Sequence, residues 1–377
     1  MPAYELIENA SALAGLCGHL AGERELALDL EMDSLHHYRE KVCLMQVSTR
    51  SASWLIDPLA LDSLDPLGAV LGNPETQVVM HGADYDIRSM HRDFGLEVGR
   101  LFDTMIASRF LGIREFGLAA LLKEHFGVEL DKKYQKADWS KRPLSTEMSA
   151  YAVADTAHLL PLSDLLRRGL KQAGRLAWLE EECRLVIQAR VAEKEGSLFL
   201  SCKGAGKLRG RSLAALENLL QLRDRTARQL DRPPFKVIPA DLLIEIAGAM
   251  PQTAPDLDAV NGMTPKLASR FGERMLSAVA AAAAVPVQNL PRFPRQRKPE
   301  PSEGTKERLK KLKSWRETRS SGLSLEPGVL APNWLLESVA DAMPATCRAL
   351  ETIGGMRAWQ RELFGPELLT AEGSLQE

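Results

Sequence analysis

Over about the first 160 residues, short apolar runs alternate with amphipathic segments, the pattern of an α/β domain. Leu26–Leu30, Val42–Ser48, Ser53–Ile56 and Gln77–His81 read as strands, each a brief apolar stretch bounded by polar or turn residues. The first three follow one another closely, which predicts a hairpin meander within a mixed sheet. Apolar residues at helical spacing follow Asp84 (Ile87, Met90), Asp103 (Ile106, Phe110, Leu111) and Ser145 (Met148, Ala152, Leu159, Leu160). Each of these three polar residues is therefore the expected N-cap of a helix. From Ser163 to about Ala192 one long helical stretch leads out of the domain.

The C-terminal half repeats itself. Ala249-Met250-Pro251 recurs as Ala342-Met343-Pro344, Gly262-Met263 as Gly355-Met356, and Phe271-Gly272 as Phe364-Gly365, each 93 positions on. Leu216 and Leu309, Leu219 and Leu312, Arg223 and Arg316, and Pro239 and Pro332 keep the same offset. Two copies of one helical module are expected after the α/β domain. Between them Asn289–Lys313 is rich in Pro and basic residues and poor in apolar ones, the composition of a linker running into a basic helix start. The alanine-rich Leu276–Val285 run stops at Pro286 and reads as a helix end.

Composition adds exclusions rather than a function. The 377 residues suffice for two or three domains, and 48 Lys plus Arg against 50 Asp plus Glu leave a net charge of −2, so only a local patch would attract a polyanion. Cys17, Cys43, Cys183, Cys202 and Cys347 are scattered without metal-ligand spacing, which favours reduced thiols and a cytoplasmic setting. The N-terminus MPAYELIENA lacks the pattern of a signal segment, and no apolar run reaches the ~18 residues of a membrane span.

Acidic residues interrupt the apolar pattern at informative places. Asp29 and Glu31 lie within ELALDLEMDS, and alternation puts residues i and i+2 of a strand on one face, roughly 7 Å apart. Asp84 and Asp86 stand where the Val78–His81 strand passes into a helix, at the sheet edge where active sites gather. Tyr151 and Asp155 are four apart and share a helix face. Carboxylates converging without arginines require cations, and hard oxygen ligands select Mg²⁺ or Mn²⁺. A pair of such ions can stabilise the attacking and leaving oxygens of phosphodiester cleavage.

The ordered set DLE (29–31), HGADYDI (81–87), FDT (102–104), DWSKRPLS (138–145) and YAVADTAHLLPL (151–162) resembles the DEDD superfamily of 3′-to-5′ exonucleases, in its tyrosine branch. With the paired repeat, the chain resembles the bacterial ribonuclease D family over nearly its whole length. That resemblance implies an RNase H-like (DnaQ-like) exonuclease domain with a mixed five-stranded sheet, followed by two helical HRDC modules. The expected divisions are 1–195 for the exonuclease domain (core about 1–165), 205–288 and 304–377 for the modules, and 289–303 for a linker. The family's H-x-x-x-x-D spacing selects Asp86 over Asp84, so Asp29, Glu31, Asp86 and Asp155 become the implied ligands of two divalent metal ions, Mg²⁺ or Mn²⁺. Tyr151 would orient, or help deprotonate, the attacking water.

By the same resemblance the chain is expected to be a monomeric, cytoplasmic exoribonuclease. It would act on single-stranded RNA 3′ ends, release nucleoside 5′-monophosphates and mature tRNA and other small RNA precursors. Trp139 and Arg142 are candidates to line the substrate path by stacking and phosphate contact, with a domain-closing turn as the alternative. Lys203 and Lys207, among glycines and arginines, are candidate phosphate contacts, as is Lys306–Lys313. Arg223 and Arg316 are either phosphate contacts or structural buttresses. A 3′-to-5′ DNA exonuclease and a non-catalytic RNA-binding scaffold are the competing readings.

Overall fold

The computed structural model describes residues 4–191, 196–294 and 300–372. The chain divides into two compact units: Met1–Met32, Val42–Val191 and Pro299–Glu377 form one, and Asp33–Lys41 with Ala192–Lys298 the other.

The first unit is built on a six-stranded sheet of β1 (Tyr4–Ile7), β2 (Glu25–Met32), β3 (Val42–Ser48), β4 (Ser53–Ile56), β5 (Gln77–Met80) and β6 (Leu101–Asp103), in the order β1-β4-β3-β2-β5-β6. Its centre, β2-β3-β4, is the antiparallel meander anticipated from sequence, whereas β1, β5 and β6 pair in parallel, so the sheet is mixed. It has six strands rather than five. The two strands that the hydrophobic pattern does not announce are the short edge strands β1, mostly exposed, and β6, of only three residues.

Among the described residues, eight helices up to residue 191 accompany the sheet: α1 (Ala10–Leu20), α2 (Asp65–Leu71), α3 (Asp84–Phe94), α4 (Thr104–Phe110), α5 (Leu118–Phe126), α6 (Thr146–Ala157), α7 (Leu159–Gln172) and α8 (Leu176–Val186). The single helix expected after Ser163 is divided, because Gly174 at φ +68° breaks the ladder between α7 and α8. Asp103 and Ser145 are side-chain N-caps, of α4 and α6. Asp84 is not a cap: it lies inside the first turn of α3, with its carboxylate paired to Arg88 one turn on.

The repeat is visible in backbone and hydrogen bonds alike. One module, in the second unit, comprises α9 (Gly210–Gln229), α10 (Pro234–Val237), α11 (Ala240–Ala249), α12 (Ala254–Asp258) and α13 (Pro265–Ala283). The other, in the first unit, comprises α14 (Glu303–Gly322), α15 (Pro327–Leu330), α16 (Asn333–Ala342) and α17 (Ala358–Glu372). Met250 and its equivalent Met343 close a helix in the left-handed region at φ 51° and 46°, and Gly262 and Gly355 turn the chain at φ 87° and 81°. Arg223 donates to the Ile238 carbonyl, and Arg316, buried, donates to the equivalent Ala331 carbonyl at 2.9 Å and to Asn333 at 2.8 Å. The repeated arginines are therefore buttresses. The two modules differ in their packing: the first encloses its own apolar core, whereas Leu312, Leu336, Phe364 and their neighbours merge with the core of the sheet domain.

Arg316→Ala removes buried hydrogen bonds and is expected to lower unfolding stability by about 2–4 kcal/mol. Arg223→Ala, whose bond is a long 3.5 Å, should have the smaller effect in the same denaturant titration.

Candidate active site

The strand register assembles the site. Cross-strand pairing sets Asp29 opposite Gln46, Glu31 opposite Leu44 and Ala27 opposite Ser48, so all six side chains emerge on one face. Leu28, Leu30, Met45 and Val47 fill the apolar core behind it. Helix α6 lies over the acidic face, fixed by a 2.7 Å hydrogen bond between Ser48 and Thr156 hydroxyls and by Ala152 and Val153 packed on Leu44 and Leu55. A bulge between Glu31 and Met32 ends the regular pairing beside the acids.

Oxygens of Asp29, Glu31 and Asp155 come within 4.8 Å of one another. Asp86, on the first turn of α3, lies outside that trio but close enough to raise the pKa of both Asp29 and Glu31. Burial, followed by repulsion from Asp155 and Asp86, pushes Glu31 up to about 9 and holds Asp29 well above the usual carboxylate range. Burial raises Asp86, with help from Asp103, and Asp155 to about 7 each, although Asp155 is partly relieved by a hydrogen bond from Tyr151. Burial and the neighbouring acids raise the Tyr151 hydroxyl above its ordinary value.

Trp139 and Arg142 are engaged in the scaffold, as the alternative reading of a domain-closing turn expects. Trp139 is 1% exposed, and its ring sits 5.9 Å from that of Tyr151, which it backs. Arg142 donates to both Asp57 oxygens and to the Trp139, Lys141 and Cys43 carbonyls, so its guanidinium is fully engaged in closing the turn. Lys203 and Lys207 are exposed in the second unit. Lys306 forms ion pairs with Glu300 and Glu303, and Arg308 donates to the Ala340 carbonyl, so part of that basic run is structural.

Two residues beyond the sequence-derived set belong here. Gln46 is buried opposite Asp29, and neither its amide nitrogen nor its oxygen has a hydrogen-bond partner among the described residues. A glutamine inside an apolar strand, in register with an acid, was the available signal. Asp103 caps α4 through the Met105 and Ile106 N–H groups and also accepts from Gly82 at 3.1 Å and Ala83 at 2.8 Å, so one carboxylate organises the entry of α3 as well. Its second role depends on β6 lying beside β5, which the pattern alone does not reveal. His81 completes this corner by a 2.9 Å contact with Thr104, which itself bonds the Met80 carbonyl.

Acids on adjoining sheet and helix elements, with a tyrosine on the covering helix, are the arrangement expected of a 3′-to-5′ exonuclease, and the comparisons place the chain in that class. The family model described as 3′-5′ exonuclease matches residues 4–171, and the HRDC domain model matches 212–279 and 305–371. Within that class the chain is an exoribonuclease homologous to the Ribonuclease D proteins. It is 29% identical to Ribonuclease D of Acidiphilium cryptum over 99% of this chain and 94% of that protein. It is 36% identical to the Saccharomyces cerevisiae exosome complex exonuclease RRP6 over 65% of this chain, spanning 36% of that longer relative. The crystal structure of Escherichia coli RNase D, an exoribonuclease involved in structured RNA processing, matches the full length of both chains at a TM-score of 0.74 and 27% identity. No helix among the described residues is long and apolar enough to cross a membrane.

Acids whose pKa values rise on folding bind more protons folded than unfolded. Their contribution is fully favourable below the ordinary carboxylate range near pH 4, and is lost as pH climbs through about 7 and on toward about 9. In EDTA the melting temperature is therefore expected to fall across that window, and Asp155→Asn, which removes one of the repelling charges, should flatten the fall in a pH series of thermal melts. Gln46→Met replaces an unpaired buried amide by an apolar group of similar size. It should stabilise the fold by about 1 kcal/mol while lowering exonuclease turnover at least tenfold, measured on one preparation.

Proposed function

We propose that the chain removes nucleotides from the 3′ ends of single-stranded RNA by a two-cation mechanism, with Asp29, Glu31, Asp86 and Asp155 as the ligands. The observation that carries this is the convergence of acids at one part-buried place, held there without a pairing arginine or lysine in hydrogen-bond contact among the described residues. An all-oxygen donor set fits hard Mg²⁺ or Mn²⁺, and the unpaired Gln46 amide offers a further polar group beside it. Bound there, the two cations would supply electrostatic stabilisation to the entering and leaving oxygens of the scissile phosphodiester.

The chain's own residues supply position. Asp29 and Glu31 are fixed by the β2 ladder, Asp155 by the packing of α6, and Asp86 by the α3 entry that Asp103 organises. Tyr151, backed by Trp139 and four residues before Asp155 on α6, orients the attacking water. Attack of water on phosphorus breaks the bond to the 3′ oxygen. That oxygen takes up a proton to leave a new 3′-hydroxyl, and a nucleoside 5′-monophosphate departs.

Relatives named Ribonuclease D, and a structure described in terms of structured RNA processing, support maturation of tRNA and other small RNA precursors as the cellular task. The chain is read as a monomer, and its kinship with bacterial Ribonuclease D proteins favours a cytoplasmic setting. The family matches at 4–171, 212–279 and 305–371 favour domain divisions at 1–195, 205–288, 289–303 and 304–377, and the exposed Lys203 and Lys207 are read as phosphate contacts.

Purified protein with a 3′-hydroxyl RNA and Mg²⁺ or Mn²⁺ is expected to yield a shortening ladder and mononucleotides, with none in EDTA. Asp29→Asn and Asp155→Ala should reduce turnover by about 10³-fold or more, and Tyr151→Phe by about 10- to 100-fold. Equal digestion of the DNA counterpart would favour a DNA-directed enzyme, and RNA binding without hydrolysis would favour the scaffold.

A further inference from the structure

We infer that the second helical module is a brace for Asp86, acting through one turn of α8, Glu181-Glu182-Cys183, and the buried Asp103 carboxylate. The inference rests on the reading of Asp86 as a metal ligand.

The modules diverge at the start of their last long helix. In the first, Thr264 caps α13 with its own hydroxyl, accepting from Leu267. At the equivalent place 93 residues on stands Arg357, which has no acceptor to offer. The opening N–H groups of α17, on Ala358 and Trp359, donate instead to the Glu181 carboxylate at 2.7 and 3.1 Å. The sheet domain thus caps a helix of the module, and the negative charge also suits that end of the helix dipole.

Arg357 has become a docking residue. Its guanidinium meets Glu182 in a bidentate pair at 2.6 and 3.0 Å, part-buried and so less screened than an exposed pair. Trp359 stacks on Trp178 of α8 with ring centroids 4.3 Å apart and planes inclined by 13°. Arg175 ties Phe110 of the sheet domain to Leu323 of the module through their carbonyls, at 2.7 and 2.8 Å.

The residue following this docking pair reaches the site. The buried Cys183 sulfur accepts the Asp103 N–H at 3.4 Å. The Asp103 carboxylate in turn holds the Gly82 and Ala83 N–H groups at the mouth of α3, and Asp86 lies on the first turn of that helix. Three consecutive residues of α8 therefore face the module on one side and the strand that fixes Asp86 on the other. A displacement of about 1 Å at a reacting centre can cost about 10²-fold in rate, so a loosened α8 should be read out in chemistry and not in RNA affinity.

The test is Arg357→Ala in the full-length protein, assayed for turnover and KM on a 3′-hydroxyl RNA and, separately, for binding of Mn²⁺ alone by calorimetry. The expected result is turnover lower by about tenfold, KM within about twofold, Mn²⁺ affinity weaker by about tenfold, and recovery of all three in the charge-exchanged Glu182→Arg/Arg357→Glu protein. A raised KM with turnover preserved overturns the inference in favour of RNA gripping by the module. Unchanged constants, or losses that the charge exchange does not recover, overturn it as well. Asp86→Asn is the control for the underlying reading: if it binds Mn²⁺ as the parent does, Asp86 is not a ligand. If it loses Mn²⁺ while Arg357→Ala keeps it, the ligand reading stands and only the brace fails.

Discussion

The burial of Asp29, Glu31, Asp86 and Asp155 together, sharpened at Asp29 and Glu31 by repulsion from Asp155 and Asp86, is the constraint to which much of the first unit answers. An isolated acid on a strand edge turns to solvent, but these are drawn together on a face largely covered by α6, and folding must hold them there against their own charge. The means are apolar and remote. Leu28, Leu30, Met45 and Val47 anchor the back of the strands, Ala152 and Val153 press the covering helix down, and Trp139 supports the tyrosine ring from behind. The rigidity needed for chemistry comes from the same packing that opposes the repulsion.

The two copies of the C-terminal repeat show how one helical unit acquires two structural roles with few changes. Both keep the arginine that binds the carbonyl before the conserved proline, and both keep the left-handed methionine and glycine turns. The first copy caps its own last helix and encloses its own core. In the second, the cap comes from α8, and the module's apolar side chains join the sheet domain's core. A module with an apolar core of its own in one position thus, in the other, shares the core of its neighbour.

What was legible in the sequence was what depends on local period. Alternation placed Asp29 and Glu31 on one face, helical spacing joined Tyr151 to Asp155, and a fixed offset exposed the repeat. What was not legible depends on contacts between distant residues. Trp139 and Arg142 read either as lining a substrate path or as closing a turn, because the partners of Arg142, Asp57 and the Cys43 carbonyl, are remote in sequence. Asp84 and Asp86 were told apart only by the family's H-x-x-x-x-D spacing, and the structure adds that Asp84 turns to Arg88. The strand Tyr4–Ile7 is too short and too exposed to declare itself before Ser53–Ile56 is beside it.

The excursion Asp33–Lys41 leaves the strand of Asp29 and Glu31 directly after Met32, yet it belongs to the second compact unit. There the Tyr38 hydroxyl donates to Asp224 at 2.7 Å, and Asp231 receives both the Tyr38 N–H and the His37 ring. The first helical module is accordingly a discontinuous domain with two roots in the gene. A frameshift or stop codon beyond residue 195 would strip away its helices and leave the second root behind, an aromatic loop on the strand of Asp29 and Glu31 without Asp224 and Asp231. Shuffling of this module between genes would have to carry both pieces together, a constraint that favours its inheritance as an inseparable part of the enzyme.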